Sequence, residues 1–370
     1  MIVLRFFNFV RHNVVATVSV MIAALSFLFA DGSGCWKAID WRTLNLLFCL
    51  MFVVAGIRSC GFFTWFASKL LVGRKNFRSL ALTLTLLTFF VAMLVTNDVA
   101  LIALVAFAIY LLDALGLRHR IPGMIVLQTI AANLGSMATP IGNPQNLFLY
   151  TAYAIPTAQF FATMIPVTLG GLLILTFGIL TVRDEPITVK LSKQQTLSHP
   201  RKILLYSSLF IFCLLSVFRL FPGFWLFIIV ILCAVLFCHR VLLRVDYALL
   251  LTFVCFFIFA NNVEQITALR ETVTRLLTDH TLMTALLSSQ IISNVPAALL
   301  LQPFTENWRD LLLGCDLGGL GTPIASLASL ISLNLYLRES DAKPLRYLLL
   351  FTFANLVILL PLLLLLWVLR

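Results

Sequence analysis

Asp98 and Asp316 are carboxylates set inside long apolar stretches, Asp98 within 79–117 and Asp316 within 308–336. An aspartate at the centre of a bilayer costs about 2.5–3.5 kcal/mol by insertion scales, so one retained there pairs with, carries or exchanges charge. Around them stand neutral donors and acceptors suited to an anion or a cation: Asn97, Asn133, Asn143, Asn146, Ser293, Asn294 and Thr322. Thr139-Pro140, Gly142 and Thr322-Pro323 mark places where an apolar helix stops and restarts. We read Asn97, Thr139, Pro140, Gly142, Asn143, Asn146, Ser293, Asn294, Thr322 and Pro323 as substrate-binding. Asp98, Asn97, Asn133, Asn294 and Asp316 read as ion-coupling, with H⁺ or Na⁺ as the ion and Na⁺ placed near Asn97 and Asn294. Asp40 and Asp246 each open an apolar helix, where N-capping is the expected job. The five histidines are scattered, and the eight cysteines fall mostly inside apolar runs without ligand or disulfide spacing. No metal, no cofactor and no enzymatic group is therefore expected.

The elements that position such residues must cross a membrane. The chain is 61% hydrophobic and 11% charged over 370 residues, against about 45–50% and 25% in soluble domains. Runs of about 20 apolar residues, enough to cross a hydrocarbon core of about 30 Å, recur at 14–30, 43–61, 157–181, 203–220, 223–240, 246–263 and 346–369. The net charge of +11 lies in short loops between these runs and forms no basic face. That excludes a nucleic-acid partner and fits a positive-inside membrane protein in a lipid bilayer. Arg5 and Arg11 precede the run 14–30 as in a secretory leader, but Leu28 and Ala30 make a poor cleavage site, so a retained helix is expected.

Four apolar stretches are interrupted. Thr96-Asn97-Asp98 breaks 79–117, TPIGNPQN at 139–146 breaks 121–153, Ser293-Asn294-Val295-Pro296 breaks 281–304, and Gly321-Thr322-Pro323 breaks 308–336. In lipid, backbone stops being helical only where its polar groups line an enclosed cavity. Prolines that merely kink spanning helices would explain one break, but not the Asn and Thr beside the breaks of both halves. The interruptions also repeat. Residues 132–146 (ANLGSMATPIGNPQN) match 315–329 (CDLGGLGTPIASLAS) without a gap, which pairs Asn133 with Asp316. Asn97 pairs with Asn294, and Ile39-Asp40-Trp41 with Val245-Asp246-Tyr247.

Basic residues orient these units. With a cytoplasmic N-terminus, Arg74, Lys75, Arg78, Arg118, Arg120, Lys190, Lys193, Arg201, Lys202, Arg240, Arg244 and Arg346 fall inside, and the outward side keeps Lys37, Arg42, Arg219, Arg270, Arg275, Arg309 and Arg370. The expected fold is an all-α polytopic membrane protein of two inverted-topology repeats, with about nine spanning helices plus two hairpins. An N-terminal transmembrane helix occupies 1–35. Repeat 1 covers 36–181, with a re-entrant hairpin at 79–117 and a broken helix at 121–153. A cytoplasmic linker (182–202) and intervening helices (203–244) lead to repeat 2 at 245–370, with hairpin 281–304 and broken helix 308–336. Inverted repeats with interrupted helices mark secondary transporters. The reading is a transporter of a small anion coupled to H⁺ or Na⁺, with a cation/proton antiporter as the alternative. An intramembrane hydrolase on Asp98 and Asp316 would leave the repeat unexplained, and a passive channel would build no gradient.

VTNDVA at 95–100, ISNVPA at 292–297, TPIGNPQN at 139–146 and GTPIASLAS at 321–329 resemble the ion transporter superfamily over nearly the whole chain. That group includes arsenite permeases, divalent anion/sodium symporters, citrate transporters and sodium/proton antiporters. The resemblance implies elevator-like movement, often as a homodimer, in a bacterial inner membrane. Sodium-coupled dicarboxylate members read Ser-Asn-Thr at their hairpin tips, where this chain reads Thr96-Asn97-Asp98 and Ser293-Asn294-Val295. The Asn-Asp pair is similar to the arsenite-permease branch and implies proton coupling or a cationic role.

Overall fold

The computed structural model describes residues 14–30, 34–71, 76–187 and 200–369. The N-terminal segment 1–13, Arg74 and Lys75, and 188–199 of the linker lie outside the described residues. Among the described residues there are sixteen helices of eight residues or more. They are α1 (Val14–Ser26), α2 (Trp41–Ser59), α3 (Phe62–Leu71), α4 (Phe77–Leu94), α5 (Asn97–Ala114), α6 (Ile121–Met137), α7 (Pro144–Ala152), α8 (Thr157–Leu180), α9 (Pro200–Val217), α10 (Gly223–Phe237), α11 (Tyr247–Glu264), α12 (Thr267–Ile292), α13 (Asn294–Leu301), α14 (Trp308–Gly318), α15 (Leu327–Tyr336) and α16 (Pro344–Leu369). Among the described residues seven of these, α2, α4, α5, α8, α9, α11 and α16, are long and apolar enough to cross a bilayer. The chain is an all-α polytopic membrane protein.

Local chemistry sets the helix starts. Asp40 accepts the Thr43 N–H at 3.0 Å to open α2, and Asp246 accepts the Leu249 N–H at 2.9 Å to open α11. Both are N-caps, satisfying a donor that the first turn leaves unpaired. The breaks fall at the polar motifs. Val95 and Thr96 are extended between α4 and α5, Ser293 has φ 75° between α12 and α13, and Gly321 has φ 128° between α14 and α15. A non-helical His280 (φ −140°) divides α12 just before Thr281. Residues 41–180 run through α2, a connector (α3), two limbs either side of the break at 95–96 (α4, α5), an interrupted helix (α6, α7) and α8. Residues 247–369 run through α11, two limbs either side of Ser293 (α12, α13), an interrupted helix (α14, α15) and α16.

Burial separates inner from outer helices. α6 is buried along nearly its whole length, polar Gln128, Thr129, Asn133 and Ser136 included. α8, α9 and α16 bury one strip and expose the rest, with Leu173 and Phe177 each 70% exposed. In water such a belt would be a liability; against hydrocarbon it is matched to its solvent. Two sets of contacts define the ends. At one, Phe77 donates its N–H to Glu185 at 2.8 Å, Arg120 pairs with Glu185, and Arg118 reaches Asp341 at 3.4 Å. Both limbs of the α4–α5 pair therefore start and finish here. At the other, the Tyr153 hydroxyl donates to the Gln302 and Thr305 carbonyls, and Arg219 donates to that of Ala154. α8 joins the two ends, and its 24 residues span about 36 Å.

Candidate functional site

Four helix N-termini converge on one small cavity. Asn97 and Asp98 open α5, Pro144 and Gln145 open α7, Asn294, Val295 and Pro296 open α13, and Ser326 immediately precedes α15. All of them line a cavity of about 30 Å³, together with Val15, Leu249 and Thr252. That volume holds about one water-sized species. Each N-terminus brings the positive end of its helix dipole to the cavity.

The tips are built alike. Asn97 turns its side-chain oxygen back to accept the Asp98 N–H at 3.0 Å, and Asn294 accepts the Val295 N–H at 2.9 Å. The Asn97 backbone N–H donates to the Gly142 carbonyl at 3.0 Å and its Nδ2 to Asn133 Oδ1 at 3.2 Å, fixing this tip to the broken helix α6/α7. The breaks reach across to one another. Asn143 Nδ2 donates to Asp316 Oδ1 at 3.1 Å, and Ser326 Oγ donates to Asn133 Oδ1 at 3.2 Å. In the gapless alignment of 132–146 with 315–329, Asn143 pairs with Ser326 and Asn133 with Asp316. The two hydrogen bonds are therefore made at matching positions. Asn133 Nδ2 also reaches Ser329 Oγ and the Gly319 carbonyl, at 3.4 and 3.2 Å.

Both carboxylates keep an unused oxygen. Asp316 Oδ1 accepts from Asn143 and from Gln145 Nε2, each at 3.1 Å, while its Oδ2 is buried without a hydrogen-bond partner among the described residues. Asp98 Oδ1 is buried in the same condition. A buried acceptor left unpaired is costly, and here it marks where a proton or a cation would be held. Among the described residues no cluster of three or more His, Cys, Asp or Glu side chains is placed to hold a metal ion.

The structure sorts the residues selected from sequence. Asn97, Asp98, Ser293 and Asn294 line the cavity. Asn133 and Asp316 stand one hydrogen bond behind it, and Asn143 holds Asp316. Thr139, Pro140, Gly142, Asn146, Thr322 and Pro323 lie outside the lining. Thr139 spends its hydroxyl on the Met93 carbonyl at 2.6 Å, and Thr322 donates to the Gln290 carbonyl at 3.3 Å, so each ties a break to the limb before the neighbouring tip. Asn146 Nδ2 binds the carbonyls of Ser136, Met137 and Thr139 at the end of α6. A Cβ on Gly142 would overlap the Ser136 carbonyl, so only glycine fits that approach. Sequence reasoning passed over Gln145, Ser326, Thr252 and Gln290. Ser326 had a signal, its pairing with Asn143. Gln290, which holds the Gly318 and Leu320 carbonyls at 2.6 and 3.0 Å, had none, because its counterpart Met93 is apolar.

A sequence profile described as citrate transporter matches residues 2–307. The chain belongs to this family. It is 32% identical over 320 residues to the uncharacterized transporter MJ0456 of Methanocaldococcus jannaschii, covering 86% of this chain and 87% of that protein. To the inner membrane protein YbiR of Escherichia coli it is 31% identical over 318 residues, 84% of each. A shorter match, 30% over 154 residues, is to the silicon efflux transporter LSI3 of rice (Oryza sativa subsp. japonica), covering 42% of this chain and 31% of that one. Family and relatives lie within the superfamily that the motifs resemble, and the family, the Methanocaldococcus protein and the rice protein all carry a transporter's name.

Proposed function

We propose that the chain is a secondary active transporter of a small anion, driven by H⁺ or Na⁺. The convergence of four helix N-termini on one cavity carries this reading. Such ends stabilise an anion without a basic side chain, and the lining contains no Lys or Arg. The unused oxygens of Asp98 and Asp316 supply the coupling site, because their negative charge next to the anion must be neutralised by the coupling ion. In this reading the two halves are inverted repeats, the tips at 97 and 294 are those of re-entrant hairpins, and the tips and broken helices move as one body in an elevator-like cycle. A bacterial inner-membrane location with a cytoplasmic N-terminus and a homodimeric assembly belong to the same proposal.

The alternative is a cation/proton antiporter. The small cavity and the Asp98 carboxylate favour it. Purified protein in proteoliposomes distinguishes the two. Accumulation of a labelled oxyanion or carboxylate against its gradient under an imposed pH or Na⁺ gradient supports the anion reading. Na⁺ or K⁺ movement that alkalinises or acidifies the lumen with no anion present supports the antiporter. Equilibration that never exceeds the external concentration would indicate a channel and defeat both.

A further inference from the structure

A second cavity, of about 660 Å³, lies at the Arg118–Arg120 end, between the foot of α6 and the α15–α16 corner. Its interior is apolar and aromatic: Met124 and Leu127 face Tyr336 and Tyr347, whose rings stack with centroids 4.4 Å apart. Its mouth is charged. Arg118, Arg120, Lys343 and Arg346 stand there with Glu339 and Asp341. Arg118 is engaged by Asp113 and Asp341, and Arg120 by Glu185. Lys343 and Arg346 are exposed and have no ion pair among the described residues. Beyond the mouth, α16 presents Leu345, Leu349 and Phe353, 65–72% exposed, as a hydrocarbon-facing strip.

We propose that this cavity binds an anionic phospholipid of the adjoining leaflet. Two unpaired cations over an apolar chamber that opens beside a hydrocarbon-facing helix fit an amphipath with an anionic head. Basic pockets between membrane helices recognise such head groups. Glu339 and Asp341 at the mouth weigh against a multiply charged anion, so the fitting head is a singly charged phosphodiester such as phosphatidylglycerol. A zwitterionic lipid would bring its own ammonium to the same cations. A soluble phosphate would leave the aromatic chamber unfilled. The lipid joins the foot of α6 to the start of α16 and staples the two halves at this end. This assignment does not depend on the transported species.

The test uses the full chain in nanodiscs of phosphatidylcholine with or without phosphatidylglycerol, read by thermal unfolding and by native mass spectrometry. Phosphatidylglycerol should be retained and should raise the Tm above that in phosphatidylcholine alone. Lys343→Gln and Arg346→Gln should each weaken lipid retention about fivefold, the worth of one basic side chain at an anionic surface, and Lys343→Arg should restore it. Arg275→Gln, at a separate outer cluster, should change nothing and reports on general charge loss. Equal stabilisation by both lipids, or an undiminished phosphatidylglycerol preference in the double Gln variant, overturns the proposal. So does a Tm rise in detergent with inorganic phosphate or glycerol phosphate as large as that given by the lipid, which would assign the site to a soluble anion.

Discussion

Where the first half carries Asn133, the second carries Asp316; where the first carries Asp98 at its tip, the second carries Val295. Around these substitutions the contacts correspond. Asn143 holds Asp316 as Ser326 holds Asn133, and Asn97 and Asn294 cap their own tips in the same way. In the alignment of the two halves the negative charge is divided, one carboxylate from each half at non-matching positions. A site with both carboxylates in one half would concentrate charge on one side of the cavity. In the proposed coupling site the division would let the Asp98 tip and the Asp316 break respond separately to the coupling ion.

The largest expected effect breaks this comparison at its charges. Asp98→Asn keeps size and hydrogen bonding but fixes the neutral state, and it should abolish ion-driven accumulation while leaving the protein folded and monodisperse. Asp316→Asn should do the same. Moving the carboxylate across, with Asn133→Asp in the Asp316→Asn background, should recover part of the accumulation, because Ser326 and Ser329 hydroxyls already face position 133. An Asp98→Asn protein with unchanged pH and sodium dependence would make Asp98 a structural cap.

Gln145 sharpens the asymmetry, since the paired position holds Ala328, which can donate nothing. Gln145→Ala removes one of the two donors on Asp316 Oδ1. A hydrogen bond to a charged group is worth about 1.5–3 kcal/mol, so accumulation should fall about tenfold or more. Ala328→Ser should leave it within error.

Much of this plan was legible in the sequence, and the reasons are physical. Apolar runs as long as 157–181 and 346–369 admit few readings besides a membrane helix, and α8 and α16 lie there. The breaks announced themselves through Pro144, Pro296 and Gly321, residues that end helices or turn the chain. Which polar groups face the cavity was not legible. Thr139 and Asn97 look equally apt as ligands, yet one hydroxyl turns to the Met93 carbonyl while the other residue lines the cavity. At a break the helical period is lost, and with it any rule for the direction of a side chain. Gln145 illustrates the same loss: it stands in the quoted motif, two residues from the selected Asn143, and reaches both the cavity and Asp316.

The next comparison concerns packing. Gly135 and Gly318 occupy matching positions where a broken helix meets a tip limb. A Cβ on Gly135 would overlap the Phe89 backbone carbonyl, whereas on Gly318 it would meet Ser289 Cβ at 2.6 Å and Oγ at 2.7 Å. Overpacking costs about 1–3 kcal/mol. Gly135→Ala should fall at the upper end, because a helix carbonyl cannot rotate away, and Gly318→Ala at the lower. Tm measurements in one detergent check the order. A smaller effect of the same kind is expected at the threonine clamps. Thr139→Val should cost about 0.5–1.5 kcal/mol, and Thr322→Val less, since its bond to the Gln290 carbonyl is longer, at 3.3 Å against 2.6 Å.

The smallest expected effect lies at the feet of the two limb pairs, which are held by different chemistry. The Phe77 end is tied to Glu185, whose carboxylate takes Arg120 and stands 3.7 Å from His119. The Gln302 end is held by the Tyr153 hydroxyl alone of these contacts, an uncharged donor at 3.0 Å. The hydrogen bond from Arg120 lowers the Glu185 carboxyl below its ordinary range, with the nearby Arg120 and His119 charges adding to it. A carboxyl lowered in the folded state stabilises that state at every pH above its unfolded value, about 4.3, and the contribution disappears as the pH falls through the folded value. Glu185→Gln should therefore lower Tm slightly at pH 7, and the difference from the unsubstituted protein should begin to narrow near pH 4.3 and close only once the pH is below the folded value. Tyr153→Phe should lower Tm by the same amount across that range, since its two hydrogen-bond partners are backbone carbonyls. If the Glu185→Gln difference persisted below the folded value, the Arg120–Glu185 contact would be holding the foot through geometry rather than charge. The two feet would then differ in residue type but not in kind.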